Sequence, residues 1–381
     1  MRSVLDDLLR HWRAGRAVGL ATVTATWSSA PRQAGAAMLV APDGSAVGSV
    51  SGGCVEGAVY ELCREVAASG SARTARFGVT DADAFEVGLP CGGTVELFVE
   101  RVDPTGFPEL PLLAAEVGAG RPTALVTCVQ GPPERLGRHL VLTAGGRLGS
   151  LGTDRLDDAA DADGRGLLTA GRTALLHYGP DGERRGSGVT LLVDTYAPAA
   201  RMIVFGATDH AAAVARIAVF LGYRVTVCDA RRTFATTQRF PEAHDVVVDW
   251  PHRYLAAEAA GGRVDARTAV CVLTHDPKFD VPVLQVALHL PLAYVGAMGS
   301  RRTHDDRLKR LREAGLDDAA LRRLASPIGL DLGARTPEET AVSIAAEIVA
   351  QRWGGSGGRL THAAGPIHPP EVDPPEADPA V

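Results

Sequence analysis

The chain has 381 residues, of which 46% are hydrophobic and 22% charged, and its formal net charge is −6. This length predicts more than one domain with sizeable cores, and the net charge argues against a nucleic-acid or acidic-membrane partner. No apolar run approaches the roughly 20 residues that span a bilayer. The amino terminus, MRSVLDDLLRHWRAG, carries two aspartates in its apolar run and does not fit a secretory signal. We expect a cytoplasmic protein.

Residues 1–196 are rich in short apolar segments bounded by glycine, among them VGLATVTAT, AAMLVA, TVELFVERV and TALVTCV. Their lengths and branched residues are typical of β-strands. Two helices are predicted among them, one opening at Met1 and one from about Val55 to Ala68. The pattern predicts an N-terminal mixed α/β domain.

Residues 197–353 alternate strictly between predicted strands such as RMIVFG and RVTVCD and predicted helices such as AAAVARIAVFLG. Such alternation predicts a Rossmann-like, doubly wound parallel sheet. The closing helix begins at TPEE, where Thr336 and Glu339 form a capping box. Residues 354–381 are acidic and rich in glycine and proline, which predicts a disordered tail.

Two loops of the first region each place a cysteine beside a pair of glycines. In GSVSGGCVEGAV at 48–59, Cys54 stands near a predicted helix start, where the helix dipole and free amides favour the thiolate. A thiolate can attack, accept sulfur or ligate a soft metal. The second loop, GLPCGG at 88–93, contains Cys91. Four glycines keep the approach to the two thiols open: Gly52, Gly53, Gly92 and Gly93.

The residues alone leave three interpretations of these loops. The cysteines are buried core residues, or they belong to a metal or protease site, or they line a pocket for a sulfur-bearing or metal-bearing cofactor. No histidine lies near either motif in the sequence, which disfavours the second. Glu56 would oppose a thiolate if it pointed inward, or it would hold a water or a ligand amine. The other four cysteines are assigned to packing: Cys63, Cys128, Cys228 and Cys271.

The start of the second region has the position of a dinucleotide fingerprint, but only the first glycine, Gly206, is present. Thr208 adds a branched side chain where the backbone should be bare, and Asp209 puts a negative charge where a phosphate would lie. Asp229, 23 residues after Gly206, suits a ribose-binding acid. The sequence favours a Rossmann scaffold with an altered ligand site over a tight nicotinamide site.

Two later loops lie where such a sheet places function, beyond the carboxyl ends of its strands. In THDPKFD at 274–280, His275 could do acid–base work or the segment could cap the next helix. In GAMGSRR at 296–302, three residues could hold a phosphate at a helix start: Gly299, Ser300 and Arg301.

With these motifs in this order, the sequence resembles the XdhC/CoxI maturation factors of molybdenum hydroxylases such as xanthine dehydrogenase and carbon monoxide dehydrogenase. In the first region the resemblance rests on TWSSAPRQAGAAMLV, GSVSGGCVEGAV and GLPCGG. In the second it rests on RVTVCDAR, VLTHDPKFD, YVGAMGSRRTHDDR and SPIGLDLGARTPEETAVSIAAEIV. The departure is at 206–211, where relatives commonly keep a GAG turn.

The resemblance implies a chaperone rather than an enzyme that turns over a substrate. Such a protein holds molybdenum cofactor, protects it during sulfuration, and delivers it to an apo molybdenum hydroxylase, with a cysteine desulfurase as sulfur donor. The residues carried over by position are Cys54 and Cys91 with their glycines, Ser29, Pro31 and Arg32 facing them, and His275, Gly299, Ser300 and Arg301 in the second region. Cys54 and Cys91 are the candidate soft ligands to molybdenum, or sulfur acceptors.

Two other functions are kept as alternatives. One is an NAD(P)-dependent oxidoreductase that uses the Rossmann-like domain, which the eroded glycine turn disfavours. The other is a non-catalytic scaffold in which both cysteines are structural. A homodimer is compatible with the sequence, which does not identify the hydroxylase or the form of the pterin.

Overall fold

The computed structural model describes residues 1–27, 32–78 and 93–363. Within these ranges the chain divides into two compact units, Met1–Pro198 and Ala199–Ala363. The predicted domain boundaries at 196 and 353 stay predictions, as does the disordered tail, whose residues 364–381 lie outside the described ranges. No helix in the described part of the chain has the length and apolar character needed to cross a membrane.

The first unit contains two five-stranded antiparallel sheets with the orders β3-β2-β1-β5-β4 and β8-β7-β6-β10-β9. Its strands are β1 (Val18–Trp27), β2 (Ala37–Val40), β3 (Ala46–Gly48), β4 (Arg73–Phe77), β5 (Thr94–Val102), β6 (Thr123–Gln130), β7 (His139–Thr143), β8 (Gly146–Gly149), β9 (Ala174–Tyr178) and β10 (Val189–Tyr196). Its helices are α1 (Leu5–Arg13), α2 (Glu56–Ser69), α3 (Leu110–Gly118) and α4 (Asp154–Ala170), with a 3-10 turn at Arg2–Val4.

The two sheets are halves of one structural duplication. Each half begins with a helix, follows with three strands and a second helix, and ends with two strands, and the strand order is the same in both. Glu56 and Asp157 each stand eight residues past the end of the third strand of their half. Both carboxylates accept a backbone N–H from the preceding loop, from Ser51 at 2.9 Å and from Leu151 at 2.7 Å.

Strand β1 is buried on both faces, which explains its nearly continuous apolar sequence. Its residues alternate in direction: Leu20 packs with Leu8 of α1, whereas Ala21 packs with Cys63 of α2. A Cβ at Gly19 would clash with the carbonyl oxygen of Cys63. Glycine at this position therefore allows α2 to lie directly on the strand.

The second unit is a six-stranded parallel sheet with the order β13-β12-β11-β14-β15-β16, which confirms the predicted Rossmann-like architecture. Its strands are β11 (Arg201–Phe205), β12 (Arg224–Cys228), β13 (Asp245–Val247), β14 (Ala269–Val272), β15 (Tyr294–Ala297) and β16 (Leu324–Ala325). Its helices are α5 (Asp209–Phe220), α6 (Pro251–Ala260), α7 (Pro277–His289), α8 (Arg301–Glu313), α9 (Asp318–Leu321) and α10 (Pro337–Trp353), followed by a 3-10 turn at Leu360–His362.

Local signals in the second unit act as the sequence predicts. The capping box at the start of α10 is present, with Thr336 accepting from the Glu339 N–H at 3.1 Å and Glu339 accepting from the Thr336 N–H at 3.1 Å. Ile344 and Ile348 are buried in the core on the α5 side of the sheet. The strand order reverses between β11 and β14, and ligand crevices in such sheets form beyond the carboxyl ends of these strands.

Candidate functional site

The loops that contain the predicted cysteine site lie at one end of the strands of the first sheet. Trp27 at the end of β1 pairs with Thr94 at the start of β5, and Gly48 at the end of β3 pairs with Met38 near the start of β2. Segment 32–36 leads into β2 and segment 49–55 follows β3, so both lie at the same end of the strands of this sheet, where β5 also begins. Arg32, which is exposed, lies in the first of these segments.

Several predicted site residues fall outside the described ranges. These are Ser29, Pro31, Cys91 and Gly92. Gly93 is described and buried, and it leads directly into β5. The roles assigned to Cys91 and its glycines therefore stay predictions.

The loop before α2 is held in place by the carboxylate of Glu56. Its oxygens accept hydrogen bonds from the Ser49 hydroxyl at 2.7 Å, from the hydroxyl and the N–H of Ser51, and from the N–H groups of Gly52 at 3.0 Å and Gly53 at 2.8 Å. Partial burial raises the pKa of Glu56, but these hydrogen bonds outweigh it and lower the pKa to about 2. Glu56 therefore stabilises the loop, because its oxygens accept hydrogen bonds from residues of that loop.

Cys54 lies in this loop, two residues before α2 begins; the residue is partly exposed, and its side chain packs against the core that contains Val59 of α2. Its N–H donates to the Ser51 hydroxyl at 3.0 Å. Gly52 and Gly53 have φ angles of 80° and 122°, which disfavour other residues, and a Cβ on either would contact nothing within 4 Å. The space where a side chain of either glycine would stand is therefore open, and an open approach to the Cys54 thiol stays a prediction.

The other four described cysteines are buried, in agreement with their assignment to packing. Burial raises the pKa of Cys63, Cys228 and Cys271 to about 12 and that of Cys128 to about 11. Among the cysteines that the structure describes, Cys54 is thus the one placed to react or to bind a ligand.

This difference predicts a selective alkylation pattern. Iodoacetamide added to the native protein should modify Cys54, whereas the four buried thiols should stay unmodified until denaturant is added, because reagent cannot reach them. Peptide mass spectrometry of timed samples measures both. Equal labelling of Cys54 and Cys63 in the native state would contradict the assignment.

The eroded dinucleotide turn of the second unit is tied to its own carboxylate. Asp229 is buried and accepts from the Ala207 N–H at 2.7 Å, and its two oxygens bind the Arg231 guanidinium. Burial raises the pKa of Asp229, but the bonds from Arg231 and Ala207 prevail and lower it. Gly206 has a φ of 109°, and a Cβ there would lie 2.8 Å from Thr274. Asp229 is therefore already engaged within the protein, which does not favour the NAD(P) alternative.

The other second-unit candidates lie around the start of α8. Ser300 caps this helix by accepting from the Thr303 N–H at 3.2 Å, and a Cβ on Gly299 would lie 3.0 Å from Thr303. Arg301 is exposed. His275 lines a cavity of about 150 Å³ together with side chains of α8, among them Arg302.

A buried ion pair in the lining of this cavity was not anticipated from the sequence. Arg307 and Asp280, whose side chains are 3% and 5% exposed, form an N–O contact of 2.9 Å. Arg307 also donates to the Met298 carbonyl at 2.7 Å and to the Ser326 hydroxyl at 2.9 Å, and Thr274 donates to Asp280. The network joins the segments that follow β14, β15 and β16. A charged residue on each of two otherwise core-facing helix positions is the signal that could have identified it.

Within the described residues, no group of three or more histidine, cysteine, aspartate or glutamate side chains is arranged to hold a metal ion. Fold and site together define a two-part α/β protein, in which an antiparallel unit with an open glycine–cysteine loop precedes a Rossmann-type unit.

Comparison with known proteins agrees with this division. A sequence model described as the XdhC and CoxI family matches residues 11–78 and 117–179, and one described as the XdhC Rossmann domain matches residues 202–348. Together they cover more than half of the chain. The chain belongs to the XdhC and CoxI family.

Its relatives include the molybdenum cofactor insertion chaperone PaoD of Escherichia coli (strain K12), 28% identical over 92% of this chain and 88% of that protein. Another is a probable xanthine dehydrogenase subunit of Bacillus subtilis (strain 168), 26% identical over 87% of this chain and 92% of that protein. A crystal structure described as a xanthine dehydrogenase from Bacillus halodurans matches with a TM-score of 0.64 over 92% of this chain and 96% of that one. At 23% identity, this last likeness shows the shared fold.

Proposed function

We propose that the protein is a maturation factor that binds molybdenum cofactor at the Cys54 loop, protects it during sulfuration, and delivers it to an apo molybdenum hydroxylase. The observation that carries the proposal is Cys54 itself, a partly exposed cysteine in a loop that is fixed by Glu56 and contains two glycines with open space beside them. The names of the two relatives, a cofactor insertion chaperone and a probable part of a xanthine dehydrogenase, support a role in maturation.

The residues of the loop fit the chemistry of this cofactor. Molybdenum in it is bound by a dithiolene, and such a soft centre suits a thiolate donor. When bound, the cofactor supplies a metal whose terminal oxo ligand is exchanged for sulfur. The chain would contribute the Cys54 sulfur, an unobstructed approach past Gly52 and Gly53, and backbone held rigid by Glu56. Cys91 and Arg32 are proposed as further contacts, and the predicted reducing cytoplasm would keep the thiols free.

The second unit is proposed to hold an anionic part of a ligand at the start of α8. Gly299, Ser300 and Arg301 are the proposed residues, with His275 at the neighbouring cavity. Gly206 and Asp229 are proposed to have a structural role in the turn after β11, because the Asp229 carboxylate accepts from the Ala207 N–H and is therefore not free for a ligand. The proposed partners are the apo-hydroxylase and a cysteine desulfurase, and the proposed assembly is a homodimer.

Cys54→Ser is expected to remove most of the bound cofactor, because the hydroxyl is a far poorer ligand for a soft metal than the thiolate. The protein would be purified without oxygen from a host that makes molybdenum cofactor, and bound molybdenum and oxidised pterin would be quantified. We expect the bound molybdenum and pterin to fall at least about tenfold relative to the wild type, which corresponds to weaker binding by Cys54→Ser.

The matched control is Cys271→Ala, which removes a buried thiol of the second unit and should retain the cofactor. Wild-type retention by a folded Cys54→Ser protein would remove the Cys54 loop from the proposed site. Absence of pterin from the wild type, in a host with active cofactor synthesis, would reject the proposed function itself.

A further inference from the structure

A cavity of about 150 Å³ lies between helices α7 and α8 and reaches the first turn of each. Pro277, the first residue of α7, lines it, and so does Arg302, the second residue of α8. A helix start carries a partial positive charge, which favours an anion nearby. The side chains of the lining decide which charge the cavity prefers.

The buried charges of the lining belong to Arg307 and Asp280, and they cancel. The two side chains are 3% and 5% exposed and form an N–O contact of 2.9 Å. Arg307 also donates to the Met298 carbonyl and to the Ser326 hydroxyl, so its guanidinium is engaged within the protein. This pair therefore forms a fixed part of the wall without net charge.

Two other arginines of the lining, Arg302 and Arg310, are exposed. Among the residues that the structure describes, neither guanidinium has an ion pair or a hydrogen bond. Arg312, which is also exposed on α8, differs from them because it pairs with Asp318 at 3.2 Å. Arg302 and Arg310 are therefore free to bind a ligand in the cavity.

One free carboxylate, Asp306, also lines the cavity and stands four residues from each of these arginines on α8. Asp306 is exposed, and within the described ranges it forms no ion pair with either of them. His275, the remaining titratable residue of the lining, adds no negative charge in either protonation state. The free charges of the lining are thus two guanidinium groups against one carboxylate, which favours an anion.

The whole of α8 has an excess of positive charge. Its sequence, RRTHDDRLKRLRE, contains six arginine and lysine residues against three acidic ones, in a chain whose net charge is −6. The excess is therefore local, and it lies on the helix that lines the cavity. A concave surface with one prevailing sign of charge raises the local concentration of ions of the opposite sign.

The volume of the cavity suits a small anionic group. About 150 Å³ is several times the share of about 30 Å³ that one water molecule has in the liquid. It is also about half of the 300 Å³ at which pockets for drug-sized ligands begin. The cavity therefore has room for a single phosphate group, with the rest of a larger ligand outside.

We propose that the cavity between α7 and α8 binds a phosphate group, as inorganic phosphate or as a phosphate monoester, through the guanidinium groups of Arg302 and Arg310. A guanidinium presents a planar fork of donors that matches the oxygens of phosphate, and such charge-assisted bonds are about twice as strong as neutral ones. The inference rests on the part of the proposed function in which the second unit holds an anionic part of a ligand. It does not depend on the Cys54 loop.

The test is equilibrium binding of inorganic phosphate and of methyl phosphate to the full chain, measured by isothermal titration calorimetry at about pH 8. A phosphate monoester then has nearly two negative charges, and constant ionic strength keeps the screening equal. We expect Arg302→Met and Arg310→Met each to bind phosphate at least about tenfold more weakly than the wild type, because each loses a charge-assisted hydrogen bond. Arg312→Met, which alters an arginine outside the lining, is the matched control and should bind as the wild type does.

Asp306→Asn should change the affinity in the opposite direction. The substitution removes the one free carboxylate of the lining, so phosphate should bind about two- to fivefold more tightly, which is the size of an exposed charge interaction. Damage to the structure would not produce tighter binding, so this variant separates a charge effect from a folding effect. Unchanged or weaker binding by Asp306→Asn would count against an anion in the cavity.

The two probes distinguish the sources of the phosphate group. Binding of both supports a site for the phosphate of a larger ligand, and binding of inorganic phosphate alone supports a site for the free ion. No phosphate binding by the wild type, or undiminished binding by folded Arg302→Met and Arg310→Met, would overturn the proposal.

Arg301→Met separates this inference from the proposed function, because Arg301 lies at the start of α8 but does not line the cavity. If Arg301→Met loses phosphate binding while Arg302→Met and Arg310→Met keep it, the anion lies at the helix start. The anion contact in the proposed function would then stand, and the cavity would not be the site.

Discussion

Arg307→Met is expected to lower the free energy of unfolding by about 3–5 kcal/mol, the range for a buried ion pair that loses one partner. Methionine fills much of the same volume, so the loss would come from electrostatics rather than from an empty space. Asp280 would be left with a buried carboxylate that keeps the donor from Thr274 and loses the one from Arg307. Urea denaturation followed by circular dichroism measures the change.

The pH dependence of this variant has a definite sign. Burial raises the pKa of Asp280 even with Arg307 present, although the bonds from Thr274 and Arg307 act in the opposite direction. Removing the guanidinium should raise the pKa further, and a raised carboxyl pKa favours the folded state at low pH and disfavours it as the pH rises through the folded value. The deficit of Arg307→Met relative to the wild type should therefore be smaller at about pH 4 than at about pH 7.

Arg312→Met provides the control, because Arg312 lies on the same helix as Arg307 but at an exposed position, where it pairs with Asp318. Exposed pairs contribute about 0–1 kcal/mol, so this variant should unfold almost as the wild type does. Equal losses in the two variants would show that the buried pair has no special role. A large loss confined to Arg307→Met would support the view that it joins the segments after β14, β15 and β16.

The fold of the second unit was predictable because its signals are local. Alternation of strand and helix patterns gives the parallel sheet, and the capping box at Thr336 and Glu339 depends on residues three apart. Burial of Ile344 and Ile348 follows from i, i+4 spacing on α10. None of these features needs knowledge of which distant residues meet.

The first unit was predictable only as a mixed α/β domain. Its duplication is visible in the strand order and register of the two sheets. The residues at equivalent positions are not identical, since Glu56 corresponds to Asp157 and Glu100 to Asp194. The pairing of Glu100 with His139 joins residues of different halves, which no local pattern specifies.

The candidate site also has features that the local sequence predicts and features that depend on the fold. That Cys54 lies just before a helix and is partly exposed followed from its sequence context, because glycines and a helix start are local features. The hydrogen bonds of Glu56 could not be predicted from the sequence. Its carboxylate accepts from the N–H groups of Gly52 and Gly53, and the direction of these groups depends on the positive φ angles that the folded loop adopts. Asp229 likewise suited a ribose in the sequence, whereas the folded turn directs the Ala207 amide at it.

Glu56→Gln is expected to destabilise the first unit by about 1–3 kcal/mol and to loosen the Cys54 loop, because an amide cannot accept all the bonds that the carboxylate accepts. The NH₂ group of glutamine would also face the N–H donors of Gly52 or Gly53. Hydrogen exchange of the amides in residues 51–54 should accelerate in the variant, which mass spectrometry of peptides from this loop would measure. The free energy of unfolding from urea titration gives the global effect.

The contribution of Glu56 should depend on pH in the direction of a depressed carboxyl pKa. Its folded pKa is about 2 against an ordinary value of 4.5, so the stabilisation is present above about pH 4.5 and is lost as the pH falls toward 2. The wild type and Glu56→Gln should therefore converge in stability in acid and differ most near neutral pH. Glu61→Gln, which changes an exposed carboxylate of the same helix paired with Arg64, should show neither effect. Unchanged exchange of the loop amides in Glu56→Gln would mean that Cys54 is positioned by something other than this carboxylate.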